Sequence, residues 1–188
     1  MPGLALDASR STVRIRTFAE GLFAKLAHDL ELSCGKLSGT GSRDDDTLAG
    51  TATVQVPLDG FAVAGVLHKD GRVDEHGLSP SDSKDCLAKM CEDVFHASAS
   101  AKVRVEAKAE GGAVRAKVIP PAGKTVEIVT RPAVSAEGGG VRAKGSFELS
   151  LSALGSDVVK GPMGAFRVKD RVEVTFDLVF APEAAPEG

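Results

Sequence analysis

Apolar and charged residues alternate along most of this chain. Val13 and Ile15 stand between Arg14 and Arg16; Ala52, Val54 and Val56 between Thr51, Thr53 and Gln55; Val172, Val174, Phe176 and Leu178 between Arg171, Glu173, Thr175 and Asp177. A period of two gives a strand one buried and one wet face. The pattern predicts strands over 4–17, with a bulge or turn at 7–11, then over 29–37 and 50–58, continuing through 61–67. Further strands are expected around Val103, Val105 and Ala107; Val114, Ala116 and Val118; Val126 and Ile128; Val141, Ala143, Phe147, Leu149 and Leu151; and along 172–178. Glycine and proline clusters at 111–112, 120–123 and 138–140 punctuate them, and 39–46 (GTGSRDDD) reads as a polar loop. Within 68–78, Asp70-Gly71 is a tight-turn signal.

One stretch has the helical period. Ser79 is a good N-cap, Pro80 sits at the first helical position and Asp82 answers as a capping-box acid. Leu87, Met90, Cys91, Val94 and Phe95 form the apolar stripe, so a helix is expected over about 80–95. Leu22, Phe23 and Leu26 have roughly helical spacing too. The run is too short to stand alone and reads as a turn laid over an apolar opening.

About eight strands with one apolar face each cannot remain a single open sheet, which would expose that face and two edges. A closed up-and-down antiparallel barrel or a two-sheet sandwich resolves both problems. A barrel of about eight strands is filled by side chains or holds one small ligand.

Composition sharpens that choice without making it. The 188 residues suit one domain, with a core over about 4–180 and a flexible tail over 181–188. There is no Trp or Tyr and there are eight Phe, so Val and Ala fill most of the interior. Such small side chains leave either an internal cavity or a closely packed core. A net charge of −3 with no clustered Lys or Arg beside aromatics speaks against nucleic acid. No apolar run approaches the roughly 18 residues of a membrane span. The N-terminal residues lack a secretory pattern, so the expected location is cytoplasmic, or periplasmic if a signal was removed.

The chemistry-bearing residues are sparse. Cys34, Cys86 and Cys91 have no metal or redox spacing and read as structural thiols. His28, His68, His76 and His96 lack the partners of a recognised metal site, and Asp74-Glu75-His76 reads as a solvated hairpin. No nucleophile elbow, triad motif or phosphate-binding loop occurs. The expectation is a protein that is not an enzyme, with no cofactor and no metal. Exposed edges near Pro57 or in 68–78 leave room for a homodimer.

The order of parts resembles the YceI-like family, the lipocalin-like polyisoprenoid-binding proteins. Segment 6–17 (LDASRSTVRIRT) resembles that family's first strand, 30–41 (LELSCGKLSGTG) its second strand and turn, and 50–61 (GTATVQVPLDGF) its third strand. Segment 78–105 (LSPSDSKDCLAKMCEDVFHASASAKVRV) resembles its helix and the strand after it, and 161–180 (GPMGAFRVKDRVEVTFDLVF) its closing strand. The family's usual central segment is replaced here by Ile119 and the run after it.

The resemblance implies an all-β, about eight-stranded antiparallel lipocalin-like barrel with one inserted helix. It also implies non-catalytic binding, transport or storage of a long-chain apolar molecule: a polyisoprenoid, quinone or fatty-acyl amphiphile. The implied tunnel is lined by Leu30, Leu32, Val54, Val56, Val105, Val126, Ile128, Phe147, Phe166 and Phe176 and capped by Phe23 and Leu26. His28 and Asp29 stand at the mouth to meet a polar head group, or else tie the loop to the strand. The alternative is a structural or partner-binding β-module with a filled core.

Overall fold

The computed structural model describes residues 3–44 and 47–183, and among them the chain forms fifteen strands and two α-helices. The first predicted strand is split into β1 (Gly3–Leu6) and β2 (Thr12–Thr17) by a 3-10 turn at Ala8–Arg10. Asp7 caps that turn. Its carboxylate accepts from Ser9 Oγ at 2.6 Å and Arg10 Nε at 2.8 Å, and these bonds hold its pKa down at about 2.

The next elements are β3 (Ala19–Glu20), β4 (Asp29–Cys34), β5 (Ser38–Arg43), β6 (Gly50–Pro57), β7 (Phe61–Leu67) and β8 (Val73–Asp74). Helix α1 (Pro80–Lys89) leads to β9 (Lys102–Glu110), β10 (Ala113–Ile119), β11 (Val126–Thr130), β12 (Ala133–Glu137) and β13 (Gly140–Ser150). A single turn, α2 (Leu151–Leu154), precedes β14 (Arg167–Val168) and β15 (Arg171–Pro182).

All ladders are antiparallel. The main sheet runs β11-β10-β9-β6-β5-β1-β15-β2-β4-β7-β8, with β13 on β15 and β12 on β13; β3 and β14 form a separate pair. Strand β15 is the spine. One edge carries β13, while the other takes β2 over 173–177 and β1 over 180–182. On the far side β11 and β12 are one run bent at Arg131 and Pro132. The first half pairs with β10 and the second with β13, and Thr130 Oγ1 donates to the Ser146 carbonyl at 2.9 Å. Through that bend the curled sheet returns on itself, which gives an all-β lipocalin-like shell.

Two expectations need correction. Segment 39–43, taken for loop, lies in strand β5 between β1 and β6. Glycine is a poor strand former in general, but here close backbones require it. A Cβ on Gly39 would meet the Thr53 carbonyl, and one on Gly41 would lie 3.0 Å from the Thr51 carbonyl. Asp45 and Asp46 of the same segment lie outside the described residues. At the other end, Ala181 and Pro182 belong to β15, paired with Ala5 and Leu4, and not to a tail; 184–188 lie outside the described residues.

The helix starts where its sequence says. Ser79 Oγ accepts from the Asp82 N–H at 3.1 Å and donates to the Asp82 carboxylate at 2.7 Å. Past Lys89 it widens into a π-turn over Met90–Val94, which buries Cys91, Val94 and Phe95. These side chains join Leu30, Leu32, Cys34, Leu37, Leu58, Phe61 and Leu154 in one core that fills the helix end of the shell. The buried thiol of Cys34 has its pKa raised, chiefly by desolvation. Outside that core, Glu31 is 3% exposed yet satisfied, with Arg16 at 2.8 Å and Arg14 at 3.6 Å.

Candidate functional site

The other half of the shell is hollow, and strand register explains why. Side chains at one height are paired neighbours across a barrel wall. One level up from the filled core stand Gly39, Val54, Val105, Val118 and Val126, paired in sequence across β5, β6, β9, β10 and β11. The next level is Gly41, Ala52, Ala107, Ala116 and Ile128. The last level before the turns is Arg43, Gly50, Ala109, Val114 and Thr130. A belt of glycine and alanine therefore crosses four adjacent strands at one height. Nothing on it reaches the barrel axis.

The result is an apolar cavity of about 190 Å³. Val13, Val141, Ala143, Val174, Leu178 and Phe180 wall the side opposite the small-residue belt. Phe147 and Phe176 stand together inside, their rings 6.3 Å apart. A second cavity of about 240 Å³ shares Leu48, Ala109, Val114, Pro132 and Val134 with the first and reaches the Gly111-Gly112 turn. The hollow thus runs out to the rim formed by the β5–β6, β9–β10 and β12–β13 turns. From Gly50 at that rim to Val56 below, β6 spans about 20 Å.

Polar groups on this wall are few: Ser42, Thr51, Thr130 and Arg43. Arg43 is the one charged side chain among the described lining residues of the first cavity, and its Nη1 donates to the Gly140 carbonyl at 3.3 Å; Glu110 lines the second. No His, Cys, Asp or Glu occurs among the described lining residues of the first cavity. Outside, β13 and β15 are fastened by Arg142, whose Nε and Nη2 each meet the Asp177 carboxylate at 2.9 Å. These bonds hold the Asp177 pKa down at about 2 and raise that of Arg142.

Of the residues singled out in the sequence, Val54, Val56, Val105, Ile128, Phe147 and Phe176 line the cavity together. The others lie elsewhere. Leu30 and Leu32 face inward as expected, but in the filled half, where the helix has taken the space. Val126, level with Val54 and Val105, packs against that core and is not among the cavity's lining residues. Phe166 sits over Gly161, whose N–H donates to the Phe166 carbonyl, in the loop before β14. Phe23 is 53% exposed and its neighbour Leu22 95%, and neither is among the cavity's lining residues. The side chain of Leu26 lies outside the described residues. His28 is exposed at the end of the shell opposite the rim. Asp29 makes the tie: its carboxylate accepts from the Ala19 N–H at 2.8 Å.

Sequence reading passed over Val13, Val141, Val174, Leu178 and Phe180 on the facing wall, and also the small residues of the belt. Ala52, Ala107, Ala116 and Ala143 carry the inward parity, yet only their register against one another shows the space they leave.

No protein-family model matches the sequence, and no curated protein does. Solved structures are similar over nearly the whole chain, among them the following two. BcnA of Burkholderia cenocepacia superposes with a TM-score of 0.63 at 18% identity, over 93% of this chain and 98% of its own. A polyisoprenoid binding domain from Saccharophagus degradans, implicated in plant cell wall breakdown, gives 0.63 at 14% identity, over 97% and 99%. At such identities the likeness is one of fold. The chain has the fold of these two proteins.

Proposed function

We propose that this protein binds a long-chain apolar molecule (a polyisoprenoid, a quinone or a fatty-acyl amphiphile) without chemical change and serves as its carrier or store. The observation that carries the reading is the cavity wall, hydrocarbon almost throughout and open at the turn rim. Burial at roughly 0.8 kcal/mol per CH₂ supplies affinity without polar contacts. The first cavity's lack of any His, Cys, Asp or Glu among its described lining residues favours holding over reacting.

The size of the hollow refines the mode. At about 190 Å³ it is only somewhat larger than an apolar cavity of about 150 Å³ that takes benzene. It accommodates one end of a chain, not a whole polyprenyl molecule. The rest would pass through the second cavity, past Leu48, Pro132 and Val134, and leave at the Gly111-Gly112 turn. The ligand is thus read tail first, with the head group near Arg43 or beyond the rim. The residues we assign to binding are Val54, Val56, Val105, Ile128, Phe147 and Phe176 with the alanine belt. The similarity to a polyisoprenoid binding domain is consistent with this choice of ligand class.

Organic extraction of the purified protein followed by mass spectrometry tests the reading. A stoichiometric apolar chain is expected. An empty extract, together with no retention of added polyprenol, quinone or fatty acid, would leave the protein-binding β-module as the better account.

A further inference from the structure

We propose that the end of the shell opposite the rim docks on an anionic lipid surface through two loops. These are 21–28, after β3, and 158–166, before β14. The β3–β14 ladder ties them side by side, pairing Glu20 with Arg167 and Ala19 with Val168, and a bridge between Lys160 and Arg167 extends it. Four of the five large apolar residues that stand exposed on the described surface belong to these two loops: Leu22, Phe23, Val158 and Met163. Leu22 and Met163 are 95% and 105% exposed, and both follow a tight backbone feature: Gly21 has φ 112° and Met163 itself φ 55°. The backbone holds them out at the loop tips.

Charge sorts itself around these tips. The acids are engaged within the fold: Glu20 with Arg167 at 2.6 Å, Asp29 with the Ala19 N–H, and Asp170 with Ser150 Oγ and the Ser152 N–H, both at 2.7 Å. Asp157 lies 3.9 Å from His96. Lys25, Lys160 and Lys169 are exposed and take part in no ion pair found among the described residues. Apolar tips with lysines beside them match the boundary between acyl chains and acidic head groups.

A second copy or another protein is the poorer occupant. A stable protein interface buries about 800 Å² per partner in a shaped, packed patch. A few side chains on separate loop tips offer neither the area nor the shape, whereas a fluid lipid interface needs no complementary shape. This docking does not rest on the cavity's ligand. It turns the helix end to the membrane and leaves the rim facing water, where cargo exchanges with a soluble or opposed acceptor.

Sedimentation with vesicles decides it. Phosphatidylcholine vesicles containing about 30% phosphatidylglycerol should retain the protein, and pure phosphatidylcholine should retain much less. The double variant L22D/M163D should weaken retention at least about tenfold, and Lys25→Gln with Lys160→Gln and Lys169→Gln should weaken it several-fold and flatten its salt dependence. These sites are exposed, so an unchanged thermal midpoint will show that folding is intact. Equal binding to both vesicle types, or retention indifferent to L22D/M163D, overturns the proposal. So does a dimer in sedimentation velocity that L22D/M163D dissolves, which would assign the tips to a second copy.

Discussion

The two halves of this shell share their strands and differ in what the strands point inward. Around the helix end, Leu32, Leu58, Phe61, Leu149, Val172, Val94, Phe95 and Leu154 close on one another. Toward the rim, the same kind of wall carries Gly41, Ala52, Ala107 and Ala116 at one height, and the axis stays empty. Stability and binding are thereby divided. The filled half supplies the dense contacts that hold a protein of marginal stability together. The hollow half forgoes them, and is braced from outside by Arg142, Lys144 and Asp177 across β13 and β15.

The largest effect that can break this contrast is truncation in the filled half. Leu154 is 1% exposed, so Leu154→Ala should lose about 2–5 kcal/mol by urea denaturation, through lost transfer energy and an unrelieved cavity. Ile128→Ala, on the hollow wall, should fall at or below the bottom of that range, because its side chain already borders empty space. Equal losses would mean that the hollow is packed in solution.

Enlargement should reverse the order. Ala107→Phe with Ala116→Phe places two rings in the hollow, so stability should change by less than about 1.5 kcal/mol, as for a tolerated repacking. Retention of an apolar fluorescent probe should fall at least about tenfold, since burial at roughly 0.8 kcal/mol per CH₂ no longer has a site. The opposing control is Cys34→Phe, on a fully buried side chain, which should cost about 1–3 kcal/mol or more and leave probe binding per folded molecule unchanged. Probe retention in the alanine double variant would move the site away from the belt.

How much of this could be read in advance follows from the same contrast. Strands such as β15 and the capped start of α1 were legible because their signals are local: alternation in one, Ser79-Pro80 with Asp82 in the other. The filled half was half legible, since Leu30 and Leu32 were placed inward but assigned to a tunnel. Alternation tells which face a residue takes and not what stands opposite. Whether a wall encloses space depends on residues brought level by register, as Ala52, Ala107 and Ala116 are. Segment 39–43 failed for a related reason. Gly39 and Gly41 look like turn residues until β6 is seen to approach so closely that a Cβ would strike its carbonyls. The spacing of Leu22, Phe23 and Leu26 promised a lid, but could not say that Leu22 and Phe23 would stand out from the fold.

The smallest expected effect concerns the outer brace, and it depends on pH. The Arg142 hydrogen bonds hold the folded Asp177 pKa at about 2, below the usual carboxylate value of about 3.9. A depressed folded pKa contributes stability that is fully present above the unfolded value and disappears as pH falls through the folded one. The window is therefore about pH 4 down to pH 2. Denaturation curves should show the native protein losing about 1 kcal/mol or less through this pair across that window, the scale of a well-formed surface ion pair. Asp177→Asn should start lower by the same amount at pH 5 and decline less. Because the pair spans β13 and β15 on the hollow side, the variant should also loosen that wall, seen as faster amide exchange at Ala143 and Leu178 than at Val172. A pH slope unchanged in Asp177→Asn would show that the hollow half stands without its outer brace, and that the bend at Pro132 and the filled end alone maintain its shape.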